Sequence, residues 1–198
     1  MRQNGRTNAF TLIELLTVIA IIGVLAALLF PAIKSALLKA ETSKAQAAIS
    51  GLSTAFRAYY TEYGKWPIAD TIPGAYNVDT PLYGILKGEN NTTVIGTRTY
   101  QGNPRNIVFL EFKAADLVAS GITTNFVDPW KQVYHCTFDV TYVNQVPNPF
   151  MVLLPTLCSG ANCINSGFVI WSAGPDGQVD QLGDVPPSPF NKDNVKSW

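Results

Sequence analysis

The most conspicuous pattern along the chain is an apolar run near its start. No charged residue occurs from Leu15 to Ile33. Phe10 to Ile33 offers about 24 mostly apolar positions, enough to cross a hydrocarbon core of about 30 Å as a helix. The nine residues before it, "MRQNGRTNA", are polar and basic, which places that end on the cytoplasmic side by the positive-inside rule. One residue breaks the pattern. Glu14 sits near the start of the run, where an unpaired charge in lipid costs at least about 2.5 kcal/mol. Either that carboxylate is paired or it reaches the headgroups.

After Pro31 the pattern narrows to one face. Leu38, Ala45, Ile49, Leu52, Phe56, Tyr59 and Tyr63 follow one another at helical spacing, with Lys39, Glu41, Lys44 and Arg57 among the remaining positions. Ala40, Ala45, Ala47, Ala48 and Ala55 favour helix, and Gly64 followed by Pro67 ends it. The expectation is one helix from about Thr11 to Glu62, loosened at Gly23 or Pro31. Its first half suits lipid or partner helices, and its second half suits a globular domain packed on one side. A cleaved secretory signal and a plain stop-transfer anchor are the competing readings of the first half.

From Lys65 the texture turns to short apolar runs between Pro, Gly, Asn and Thr. Residues 105–113, 132–143, 150–155 and 167–174 read as strands, with an antiparallel hairpin in "TYVNQVPNPFMVLL" and a short helix at 113–121. The tail after Gly174 is rich in Asp, Gly and Pro and reads as a structured loop or a loose end. The fold class is therefore α+β: a long N-terminal helix packed on a small antiparallel sheet.

Composition adds exclusions more than identity. Charged residues are 14% of the 198, and the formal net charge is zero, so there is no electrostatic case for a nucleic-acid binder. Cys158 and Cys163 bracket the loop "CSGANC"; a disulfide there fits an oxidising compartment, and two free thiols fit a reducing one. Cys136 is left over as a buried thiol, and the spacing supports neither a zinc site nor a redox dithiol. The one histidine, His135, is adjacent to Cys136, and neighbours on a strand point to opposite faces, so no nucleophile–base pair forms. No phosphate-binding glycine loop precedes a helix, and the chain is expected not to be an enzyme. Trp66, Trp130, Trp171 and Trp198 are too dispersed for a ligand platform and read as core or loop cover.

"Phe10-Thr-Leu-Ile-Glu14" before an apolar helix, behind a short basic leader, resembles the class III signal of type IV pilins and type II secretion pseudopilins. "Asp128-Pro129-Trp130-Lys131" resembles the "DPWG" segment of major pseudopilins, with Lys131 in place of Gly. "WSAGPDGQ" with the terminal "KDNVKSW" resembles their "S-x-G-x-DG…W" tail. The resemblance touches about half the chain. It implies a leader (1–9) cut by prepilin peptidase between Ala9 and Phe10, N-methylation of Phe10, a helix (10–63, with 10–33 in the membrane or the filament core), and a globular domain (64–198), together ladle-shaped. Ala9 stands where the family has Gly.

It further implies that Glu14 pairs with the Phe10 amine of a neighbouring subunit and sets filament register. Calcium on the tail is implied at Asp176 and Asp193, with Asp180 as a third ligand; for an isolated "PDG" an Asx turn explains Asp176 equally. The implied partners are further copies of the chain, minor pseudopilins, the peptidase, an inner-membrane platform protein and an assembly ATPase. The implied location is the inner membrane, with the domain in the periplasm and the filament periplasmic or on the surface. The expected function is a type II secretion pseudopilus-like subunit; a type IV pilin for adhesion, motility or DNA uptake, and a membrane-tethered binding domain, are the alternatives.

Overall fold

A computed structural model describes residues 11–70, 74–90, 92, 94–95, 98–150, 163–179 and 193–198. The chain divides into two compact units, Met1–Ala40 and Glu41–Trp198.

Helix α1 runs without interruption from Leu12 to Tyr63, with Pro31 inside it. Leu, Ile and Ala supply propensity through the first half. Pro31 removes one donor from the ladder, yet the helix continues through it. The end follows local rules: Gly64 is left-handed (φ 66°) and its N–H donates to Tyr60 O at 2.8 Å, a glycine C-cap. Among the described residues of the first unit no side chain is buried; Leu12, Leu28 and Phe30 are each more than 70% exposed.

The second unit is built on the other half of α1. Ala45, Ile49, Leu52, Ala55, Phe56 and Tyr59 are buried, and Tyr63 packs partly against the same core. The spacing argument holds for this stretch; Leu38, expected on the same face, is instead exposed.

Against that face lies a four-stranded antiparallel sheet. Its strands are β1 (Tyr76–Asn77), β6 (His135–Phe138), β9 (Phe168–Ser172) and β10 (Val195–Lys196), in that order. All five residues of β9 are buried, and their alternation makes two cores. Phe168 and Ile170 face the α1 side with Phe56, Cys136 and Phe138. Val169 and Trp171 face the other way, with Val146 and Phe150.

Helix α2 (Thr80–Lys87) has Pro81 in its first turn and left-handed Gly88 (φ 105°) as its cap. That Pro-first, Gly-last asymmetry is the signal the sequence reading passed over. Its Leu82, Ile85 and Leu86 complete the first core.

Several expected elements differ. Residues 105–113 form no strand: Phe109 N–H and Leu110 N–H donate to Leu86 O, so α2's free carbonyl takes the pairing a sheet would have supplied. The helix expected at 113–121 is a single 3-10 turn, Ala114–Asp116, followed by β4 (Leu117–Ser120). Strand β4 pairs with β5 (Thr123–Phe126) about Gly121, at φ 62°; β-branched residues and the glycine turn override helix propensity. In 132–143 only His135–Phe138 is a strand. The short strand β7 (Val146–Pro147) pairs with β8 (Cys163–Ile164), while 151–155, where the other arm of the hairpin was expected, lies outside the described residues. A further short pair joins β2 (Val94–Ile95) to β3 (Arg98–Thr99).

Candidate functional site

At the head of α1 the local sequence Thr11-Leu-Ile-Glu14 closes a reciprocal capping box. Thr11 N–H and Oγ1 donate to Glu14 Oε2 at 2.8 and 2.7 Å, and Glu14 N–H donates back to Thr11 Oγ1 at 3.3 Å. Sequence reasoning missed this, although T-x-x-E before an apolar run is the signature of such a box. In the single chain the Glu14 carboxylate is thus satisfied at the helix start, on an exposed turn. From there to Ala40, the described part of α1 presents apolar side chains outward. Ala9 and Phe10 lie outside the described residues.

The second candidate region is the turn at Asp128 and the strand end it supports. Asp128 is 2% exposed. Its Oδ1 accepts from Trp130 N–H (2.9 Å) and Gln132 N–H (2.8 Å), and its Oδ2 accepts a short hydrogen bond from the Ser172 hydroxyl. Burial pushes this carboxyl up from its ordinary value of 3.8, opposed by those three donors. Lys131 sits at φ 70°, a left-handed position that glycine occupies without steric cost; this is a physical reason for a glycine in "DPWG". Trp130 Nε1 donates to Glu41 on α1 at 2.9 Å, so the turn is tied to both helix and sheet.

Ser172 Oγ in turn accepts from Gly174 N–H at 3.2 Å, where the chain turns at φ 71°. Here the C-terminal segment crosses so closely that a Cβ on Gly174 would lie 2.5 Å from Asp193 O. The crossing brings Asp176 and Asp193 together: Asp176 N–H donates to Asp193 Oδ2 at 3.3 Å. Asp193 Oδ1 is buried with no hydrogen-bond partner among the described residues, and Asp176 Oδ1 accepts from Gln178 N–H at 2.8 Å. Two carboxylates, one of them with an orphaned oxygen, are the donor chemistry a hard cation uses. Among the described residues no group of three His, Cys, Asp or Glu converges, and Asp180 lies outside them.

Cys163 is disulfide-bonded and Cys136 is a free, buried thiol; Cys158 lies outside the described residues. His135 stacks on Trp171 with ring centroids 5.5 Å apart, and burial holds its pKa below the ordinary 6.5. Cys136 Sγ faces Tyr76 O in the core at 3.7 Å, so the two adjacent side chains part as strand alternation requires. Trp66 and Trp171 are buried, while Trp130 is partly buried and Trp198 is exposed at its edge.

A family model described as the prokaryotic N-terminal methylation motif matches residues 4–30. Among curated proteins, the type IV major pilin protein PilE1 of Neisseria gonorrhoeae is 38% identical over 82 residues, covering 41% of this chain and 50% of that protein. A fimbrial protein of Neisseria meningitidis is 41% identical over 72 residues, covering 36% and 42%. A fimbrial protein of Dichelobacter nodosus is 32% identical over 122 residues, covering 59% of this chain and 75% of that protein. The chain thus spans half or less of the Neisseria relatives' length. No solved structure matches it.

Proposed function

Because the chain belongs to the type IV pilin-like family, we propose that it is a non-enzymatic subunit of a helical filament, stored in the inner membrane and extracted from it during assembly. The observation that carries this reading is the exposed, charge-free apolar surface of α1 headed by Glu14. Such a surface needs lipid before assembly and further copies of itself afterwards. In the filament the Phe10 amine of a neighbour would share the Glu14 carboxylate with Thr11. A buried charge is tolerated only when paired and hydrogen-bonded, and this use sets register. Prepilin peptidase would cut between Ala9 and Phe10, and an assembly ATPase and platform protein would drive extraction. The named relatives, all pilins or fimbrial proteins, favour a surface fibre.

The second reading is a type II secretion pseudopilus subunit, with minor pseudopilins as partners. It is favoured by the linkage of Asp128, Ser172, Asp176 and Asp193, which are the positions of the pseudopilin-like segments. It carries the proposal that calcium binds Asp176 and Asp193, with Asp180 as a further ligand; the orphaned Asp193 Oδ1 supports it. A disulfide between Cys158 and Cys163 belongs to either reading and supposes an oxidising compartment for the domain.

The test is N-terminal mass spectrometry on sheared surface material and on membranes. A chain beginning at N-methylated Phe10 in the sheared fraction is expected; the same chain confined to membranes moves the assignment to the pseudopilus. A chain retaining Met1, or cut beyond Pro31, overturns both. Protection of the tail from protease by calcium and not magnesium checks the cation site, and equal protection by both or by neither removes it.

A further inference from the structure

The second unit carries a cleft of about 460 Å³ between the last turns of α1 and the loop 139–144, lined by Arg57, Tyr60, Trp66, Tyr142, Asn144 and Phe168, among others. That volume lies in the range of small-ligand sites, about 300–1,000 Å³. Its wall is aromatic. Tyr60 and Trp66 lie with ring centroids 4.4 Å apart and planes 33° apart, Phe168 meets Trp66 edge-on at 5.4 Å, and Tyr142 faces Tyr60 at 6.4 Å. The backbone of Gly167 presses on Trp66 so closely that a Cβ there would sit 2.6 Å from Cζ2, which holds the indole in place.

Four polar side chains around this wall make no hydrogen bond among the described residues. Arg57 is exposed, and its guanidinium lies 5.3 Å over the Phe168 ring. Among the described residues it makes no ion pair or side-chain hydrogen bond. The phenols of Tyr60 and Tyr142 and the side-chain amide of Asn144 are likewise without a hydrogen-bond partner among the described residues. The other charged group of the lining, Asp139, is 2% exposed. Its carboxylate is already used: Oδ1 accepts from Thr141 N–H and Oγ1, and Oδ2 accepts from Asn144 N–H.

Those bonds also hold the loop in an unusual shape. Tyr142 and Asn144 are both left-handed, at φ 58°, a conformation that a residue with a Cβ keeps only when its surroundings over-determine it, and that gathers at ligand clamps. Tyr142 is half exposed and leans over the cleft.

We propose that this cleft is a binding site for an acidic saccharide, with the pyranose C–H face on the exposed Tyr60 ring, which the buried Trp66 backs, and its carboxylate on Arg57. A sugar ring is apolar on its faces and polar around its rim, which matches aromatic planes bordered by two phenols and an amide. One guanidinium, seated over the Phe168 ring and without an ion-pair partner among the described residues, matches one carboxylate, bidentately. A nucleotide or polyphosphate would call for several cations, and a purely apolar ligand would leave Arg57 unused. The site lies wholly within the second unit and does not depend on how the filament reading falls.

The test uses the full chain in a zwitterionic, sugar-free detergent, because a glycoside detergent would compete. Methyl β-D-glucuronide and methyl β-D-glucoside are compared by saturation-transfer NMR and titration. The glucuronide should bind at least tenfold tighter than the glucoside. Arg57→Gln should reduce it to the glucoside's level, and Tyr142→Ala should weaken both. Both positions are exposed, and an unchanged circular dichroism spectrum would verify folding. Absence of saturable glucuronide binding, equal affinity for the two sugars, or wild-type affinity in Arg57→Gln overturns the assignment. A change in oligomer size on Arg57→Gln without any sugar effect also overturns it, in favour of a contact between copies.

Discussion

Removing the Asp128 carboxylate tests whether one buried acid holds the turn, the sheet end and the tail together. Asp128→Ala withdraws the acceptor shared by Trp130 N–H, Gln132 N–H and the Ser172 hydroxyl. Hydrogen bonds to a charged group contribute about 1.5–3 kcal/mol each. Two of the three donors are only partly buried, so water replaces the carboxylate there. Burial already raises the carboxyl's pKa, which means that holding it ionised carries its own penalty, and the substitution relieves it. The expected net loss is therefore about 3 kcal/mol, well short of the sum of three charged bonds. Asp128→Asn keeps an oxygen for the two backbone donors and loses only the bond from Ser172, for a loss of about 1 kcal/mol. The assay is urea unfolding of the full chain in detergent at pH 7, followed by tryptophan fluorescence, with midpoint shifts compared at constant slope. A loss under about 1 kcal/mol for the alanine variant, or equal losses for both, would refute the claim that this carboxylate organises the turn.

Two further perturbations probe packing and burial. Gly167→Ala places a methyl 2.6 Å from Trp66 Cζ2, and overpacking of that kind costs about 1–3 kcal/mol; wild-type stability by the same assay would show that the indole has room to move. Asp79 caps α2 without a side-chain hydrogen bond, its Oδ1 is buried and unpartnered among the described residues, and burial raises its pKa from 3.8. A carboxyl raised in the folded state binds protons that the unfolded chain releases, so its penalty is full at neutral pH and is relieved as pH falls through the raised value. Asp79→Asn should therefore stabilise by about 1 kcal/mol at pH 7, and the advantage should vanish below 3.8. An advantage independent of pH would assign the effect to something other than ionisation.

What the sequence determined by itself is the part written in short-range chemistry. The apolar run, Glu14 and the helical spacing from Ala45 to Tyr59 depend on periodicity and on one stretch of chain, so the long helix and its buried face were legible. So was the separation of His135 from Cys136, because strand alternation needs no partner to be known. The "DPW" turn and the tail were visible as motifs, but their joining was not: Asp128 meets Ser172 because β6 pairs with β9, and Asp176 meets Asp193 because β10 pairs with β9. The same limit explains the run at 105–113, whose apolar residues look like a strand until α2's free carbonyl claims their backbone. The cleft beside Tyr142 carries no sequence signature, since its residues come from α1, the segment after it, the 139–144 loop and β9. Local propensity and period are properties of neighbours in the chain, whereas pairing partners, orphaned oxygens and cavities are decided by which distant segments the core brings together.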